Sequence, residues 1–133
     1  MTNEERVQHW IALSEYDLAT AEAMLTSKRY LYVAFMCQQA IEKMFKAHYV
    51  KLKNDEPPYI HNLLLLAEKN GFWDILTVER KKQIDAINAY YINTRYLDYK
   101  SDLIKTLTNK ICEKMLNITK EILQWTKEKI SLI

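Results

Sequence analysis

Apolar side chains recur along this chain at three- and four-residue steps, a spacing that predicts five helices. The first runs from about Glu4 to Leu25, with Trp10, Leu13, Ala21 and Met24 on one face and Asp17 interrupting it. Ser27 offers a side-chain oxygen to cap a second helix, from about Arg29 to Leu52. Val33, Met36, Cys37, Ala40, Met44 and Ala47 form its wide apolar face. Asn54-Asp55-Glu56-Pro57-Pro58 ends it, because proline lacks an N–H and its ring clashes with the preceding turn. A short third helix follows His61, carrying Leu63, Leu64, Leu66 and Ala67, and stops at Asn70-Gly71. Phe72 and Trp73 are expected to fold back onto the core. The fourth helix runs from about Val78 to Asn93 with Ile84, Ile87 and Tyr91 as its stripe, and Arg95 lies one turn further on that face. Tyr96 to Lys100 read as a helix end or connection, and Ser101-Asp102 offers a cap for the last helix, about Asp102 to Lys129. Ile104, Leu107, Ile111, Ile118, Ile122 and Trp125 line its main face, widened by Leu103, Leu116, Leu123 and Ile130.

Long helices on short links favour antiparallel neighbours, so the expected fold is all-α: an up-and-down antiparallel bundle of about five helices. It forms one domain over residues 1–133, since neither side of the proline break is large enough to fold alone. The broad apolar coverage of the last helix leaves room for a homodimer face.

Composition supports the helical reading: a single glycine and two prolines are too few for a turn-rich β fold of this size. The charge is nearly balanced, 19 Lys plus Arg against 17 Asp plus Glu, which lacks the basic excess of a general duplex-binding surface. Cys37 and Cys112 have no Cys or His partner at metal spacing and read as reduced core thiols. The polar stretch Met1 to Arg6 has no signal-peptide core, and apolar runs such as Leu63 to Ala67 are too short to cross a bilayer. A cytoplasmic protein with no membrane association is expected. No glycine-rich phosphate loop, His-Glu-x-x-His, Cys-x-x-Cys or Gly-x-Ser-x-Gly occurs, so no cofactor and no metal site are expected.

The polar residues that break the pattern carry the candidate chemistry. Gln38, Glu42 and Lys46 are spaced i, i+4, i+8 and stack on one helix face, with Gln39 and Lys43 in a row beside them. This arrangement suits either a solvated face with Glu42–Lys46 pairing or an internal polar cluster. Asp17 and Arg95 sit in apolar stripes of other helices, where a charge needs a partner. They are expected to meet each other or the Glu42, Lys43 and Lys46 rows, as an ion-pair network or a ligand site. His61 suits capping, packing or proton transfer, whereas His9 and His48 are isolated. Tyr90 and Tyr91, with Tyr96 and Tyr99, suit either base stacking or packing.

Together these landmarks resemble the HEPN domain family. The matching pieces are Trp10 with Asp17-Leu18-Ala19, the run Tyr30 to Lys46 with its Gln39-Ala40-x-Glu42-Lys43-x-x-Lys46 core, His61-Asn62-Leu63, and Tyr91 with Thr94-Arg95-Tyr96. The resemblance extends from about Val7 into the last helix. It implies a helical bundle that forms homodimers, encoded in many relatives beside a small nucleotidyltransferase, with some pairs acting as toxin and antitoxin. Several branches are metal-independent ribonucleases whose motif is an arginine followed four to six residues on by histidine. Carried onto this chain the arginine is Arg95, but Lys100 and Ser101 stand near the histidine position, and no histidine follows His61.

Three functions are therefore weighed. The first is a nucleotide- or single-stranded-RNA-binding partner of a nucleotidyltransferase, in which Arg95, Lys43 and Lys46 contact phosphate. Glu42, Gln38, Gln39 and Asp17 complete that site by orienting the cations or a base edge. The second is a ribonuclease toxin with Arg95 and His61 as its catalytic pair. The third is a structural or interaction module whose polar cluster only sets helix register.

Overall fold

A computed structural model describes residues 1–91 and 104–133. Its elements are α1 (Asn3–Thr26), α2 (Tyr30–Lys53), α3 (Leu63–Lys69), α4 (Val78–Asn88) and α5 (Asn109–Ser131). They form an all-helical bundle around α2, which packs against each of the other four. More than half of α2 is buried, including the polar Gln38, Glu42, Lys46 and His48. A helix with no solvated stripe of its own is a core helix, and here it brings polar groups into the core.

Helix ends follow local chemistry. Thr2 accepts from the Glu5 N–H at the start of α1, and Thr77 accepts from the Arg80 N–H at the start of α4. α1 closes with Lys28 in the left-handed region (φ 61), where Arg29 N–H reaches Met24 O at 2.8 Å and Lys28 N–H reaches Leu25 O at 3.0 Å. Ser27 therefore belongs to the end of α1: its hydroxyl turns back to Ala23 O and Met24 O, while Arg29 precedes α2 without a side-chain cap. α3 ends in the same motif at Gly71 (φ 76), with Phe72 N–H on Ala67 O.

Three expectations change. Phe72 is buried against Phe45 and Trp125, but Trp73 remains 40% exposed under the Lys81 ammonium, 4.2 Å from its ring. α4 stops at Asn88 because its last turn tightens, with Tyr90 N–H on Ile87 O and Tyr91 N–H on Asn88 O. Tyr91 thus leaves the stripe of Ile84 and Ile87. α5 begins after Thr108, whose hydroxyl accepts from the Ile111 N–H. That start turns Ile111 to a 45% exposed position and buries Cys112, Met115, Leu116, Thr119, Ile122, Leu123, Thr126 and Ile130. Both buried threonines satisfy their hydroxyls on the carbonyl four residues back. The proposed Ser101-Asp102 cap, Leu103, Thr94-Arg95-Tyr96, Tyr99 and Lys100 lie outside the described residues.

Cys37 and Cys112 are free and buried, and burial pushes the Cys37 thiol up to about 12. Among the described residues no helix is long and apolar enough to cross a membrane, and no group of ligating side chains has the arrangement of a metal site.

His48, isolated in sequence, is buried with Nδ1 2.7 Å from Asn70 Oδ1, while Asn70 Nδ2 donates to Leu66 O. Burial lowers its pKa from the ordinary 6.5, so the native ring is held neutral. Above that value neither state binds the proton. As pH falls through it, the unfolded chain takes up a proton that the native state resists, and stability declines until the lower native pKa is reached. Urea melts from pH 7.5 to 5 are expected to fall less steeply for His48→Gln than for wild type. Parallel curves for the two proteins would refute this linkage.

Candidate functional site

The polar rows of α2 face inward rather than outward. Glu42 and Lys46 are one helical turn apart, and Lys46 Nζ donates to Glu42 Oε2 at 3.2 Å with the side chains 5% and 3% exposed. The other carboxylate oxygen, Glu42 Oε1, lies 3.0 Å from His61 Nδ1. One turn earlier on the same face, Gln38 Nε2 donates to the His61 carbonyl at 2.8 Å. Two residues spaced i, i+4 on α2 thus hold one histidine twice, Gln38 by its backbone and Glu42 by its ring.

The neighbouring row continues the network. Gln39 Nε2 donates to Gln38 Oε1 at 2.7 Å, and Lys43 Nζ donates to Gln39 Oε1 at 3.2 Å and to Asp17 Oδ2 at 2.9 Å. Asp17, the charge misplaced in the α1 stripe, therefore finds Lys43 as its partner. The chain of bonds runs from α1 across α2 to His61, two residues before α3. Each amide's orientation follows from it, since one end must donate and the other accept.

His61 is the accessible end of this network, with its side chain 32% exposed. It does not cap α3; Asn62 does, accepting from the Leu64 and Leu65 N–H groups. The His61 ring stacks on Tyr91, 4.5 Å between centroids and 14° from parallel, and meets Tyr59 edge to face at 5.3 Å. The Lys46 ammonium lies over Trp10 at 5.7 Å and over Tyr59 at 5.9 Å. Burial first, then the charge of Glu42 and the neighbouring Tyr59, raise the Tyr91 pKa, which keeps its phenol protonated at neutral pH.

A carboxylate only accepts hydrogen bonds, so the nitrogen facing Glu42 carries a proton and donates it. In the neutral ring Nε2 is then the basic nitrogen. A carboxylate that fixes one imidazole nitrogen and leaves the other basic is the arrangement that orients a proton-transfer histidine. The ring chemistry can serve either ligand contact or proton transfer.

Of the residues singled out in the sequence, Asp17, Gln38, Gln39, Glu42, Lys43, Lys46 and His61 come together here. Arg95 lies outside the described residues. Tyr59 and Ser14 carried no signal in the helical pattern. Ser14 donates to Ala40 O at 2.6 Å and lets α1 approach α2 closely. Tyr59 lies two residues before His61 in a turn, and only the tertiary structure brings its ring against the His61 ring. A separate cleft of about 180 Å³ between α2, α4 and α5 contains none of these groups; its charged lining residue, Arg80, is engaged by Gln83 and Glu121.

Two solved structures share the fold. One is the crystal structure of TT1696 from Thermus thermophilus, with 24% identity and a TM-score of 0.78 over 93% of this chain and 98% of that one. The other is ST0689, an archaeal HEPN homologue, with 22% identity and a TM-score of 0.68 over 93% and 97%. No curated protein matches the chain. The HEPN domain model matches residues 7–130, a span that takes in nearly all of α1 and α5 and everything between. With that match, over helices that hold the polar network together, the chain belongs to the HEPN domain family.

Proposed function

We propose that this HEPN protein binds a nucleotide or single-stranded RNA at the exposed end of the polar network. It acts in the cytoplasm as a homodimer and as one member of a pair with a nucleotidyltransferase. The observation that carries the reading is His61, held by buried Glu42 and Gln38 and stacked on Tyr91 while a third of its side chain stays open. Maintaining a buried carboxylate costs free energy that a purely apolar contact would not, and here it orients one accessible ring. Arg95 and Lys43 contact phosphate in this reading, Arg95 through its planar fork. Lys46, Glu42, Gln38, Gln39 and Asp17 hold the cations and His61 in place from behind. The half-exposed Ile111, with Ile87, Met115 and Ile118 between α4 and α5, supports the face for a second copy.

The test is thermal denaturation with nucleoside mono-, di- and triphosphates, for wild type, Arg95→Ala and His61→Ala, with light scattering on the same samples for the dimer. A ligand at 100 times its Kd stabilises the native state by about 2.7 kcal/mol. A shift in wild type that both variants lose supports the site. A shift that survives in both removes it; a protein that no nucleotide stabilises narrows the ligand to single-stranded RNA, and one that neither nucleotides nor single-stranded RNA stabilise supports the structural reading.

The Glu42–His61 bond also favours a second reading, metal-free RNA cleavage. His61 would take the proton of a 2′-hydroxyl as that oxygen attacks phosphorus and the 5′-oxygen leaves with a proton from water, with Arg95 stabilising the phosphate charge. Cleavage of single-stranded RNA that His61→Ala abolishes would establish it, and intact RNA after prolonged incubation with wild type would dismiss it.

A further inference from the structure

Tyr59 is the most exposed large apolar side chain among the described residues, at 92%, yet it stands against the most chemically organised part of the molecule. It follows Pro57-Pro58, whose rings fix two successive φ angles. Ile60 N–H donates to Pro58 O at 2.9 Å, closing a three-residue turn with Tyr59 at its tip. Ile60, just beyond, packs partly into the core. The tyrosine is thus held on a short, braced turn anchored on both sides. Its ring touches His61 edge to face, and the Lys46 ammonium lies over it. At that exposure a ring face remains open to solvent.

We propose that Tyr59 is the platform on which an unpaired nucleobase stacks, beside the phosphate held near His61. The inference rests on the nucleotide reading above and specifies its ligand class: a phosphate attached to an unstacked base. Every base offers a π-face, so a stacking platform tolerates all sequences. In a duplex those faces are covered by neighbouring base pairs, so paired RNA is a poor ligand. Tyrosine suits this role because it presents a rigid amphipathic face at low conformational cost. The turn supplies the rest of the preorganisation, since the platform need not be ordered when the ligand arrives.

The experiment uses an eight-nucleotide RNA bearing 2-aminopurine, the same strand with one abasic position, its duplex form, AMP, and inorganic tripolyphosphate. Each is titrated against wild type, Tyr59→Ala and Tyr59→Trp. Wild type is expected to quench 2-aminopurine on binding. Tyr59→Ala should weaken binding of the base-bearing strand by roughly 5- to 150-fold, the range of one lost base–aromatic stack. It should leave tripolyphosphate affinity unchanged, and Tyr59→Trp should restore quenching. Preferential binding of the strand over AMP marks RNA as the source of the base, and equal binding marks a free nucleotide. Tripolyphosphate binding with no quenching, or equal affinity of wild type and Tyr59→Ala for the strand, overturns the platform while the phosphate site stands. Absence of binding by every probe overturns both.

Discussion

Glu42→Gln is expected to destabilise the fold by roughly 3–5 kcal/mol, although it changes the side-chain volume very little. The effect comes from Lys46. Its ammonium is almost wholly buried and donates to the Glu42 carboxylate at 3.2 Å. With a neutral amide in place of the carboxylate, the native state must hold an uncompensated buried cation. The double variant Glu42→Gln with Lys46→Met removes the cation as well and should recover most of the loss, because an apolar side chain costs less at that site than an unpaired charge. Urea denaturation at pH 7 reads both. A loss below about 1 kcal/mol for the single variant would mean that Lys46 reaches water when unpaired. Because glutamine still offers His61 an acceptor oxygen, ring orientation is largely preserved, which separates the stability role of Glu42 from its positioning role.

Phe72→Ala should cost a comparable amount, about 3–5 kcal/mol, by a different mechanism. The Phe72 ring lies 4.4 Å from His48, 4.8 Å from Trp125 and 5.5 Å from Phe45, centroid to centroid. It joins α2 to α5 from the turn after α3, and its removal leaves a void walled by groups on both helices. Trp73→Ala, one residue away and a larger deletion, should cost about 1 kcal/mol or less, since it loses mainly an exposed contact with Lys81. Thermal and urea denaturation of the two variants give the comparison, and equal losses would refute the assignment of Phe72 as the anchoring ring.

The contrast between these adjacent aromatics shows where reading the chain stops. Both look alike as apolar residues after a glycine stop. The left-handed Gly71 directs Phe72 N–H onto Ala67 O and turns that ring inward, leaving its neighbour at the surface. Local stops were legible because they depend on covalent geometry within a few residues: the two prolines after α2, and Asn70-Gly71 after α3. The start of α5 was not, since Thr108 offers the same capping chemistry as other serines and threonines of the chain and packing chooses where the helical face begins. The polar network was half legible. Spacing stacks Gln38, Glu42 and Lys46 on one face of any helix, and Asp17 announced an unmet need for a partner.

What the amino-acid order determined alone is therefore the set of helices, most of their ends and the rows of polar side chains along them. These follow from 3.6-residue periodicity and turn chemistry, which act over one or two turns. Only the tertiary structure decided that the polar rows of α2 face inward, that Lys43 rather than another cation meets Asp17, and that Tyr59, His61 and Tyr91 share one corner. Those outcomes join residues tens of positions apart. They depend on which face of α2 the other helices cover, and so on the free energy of the whole packed core.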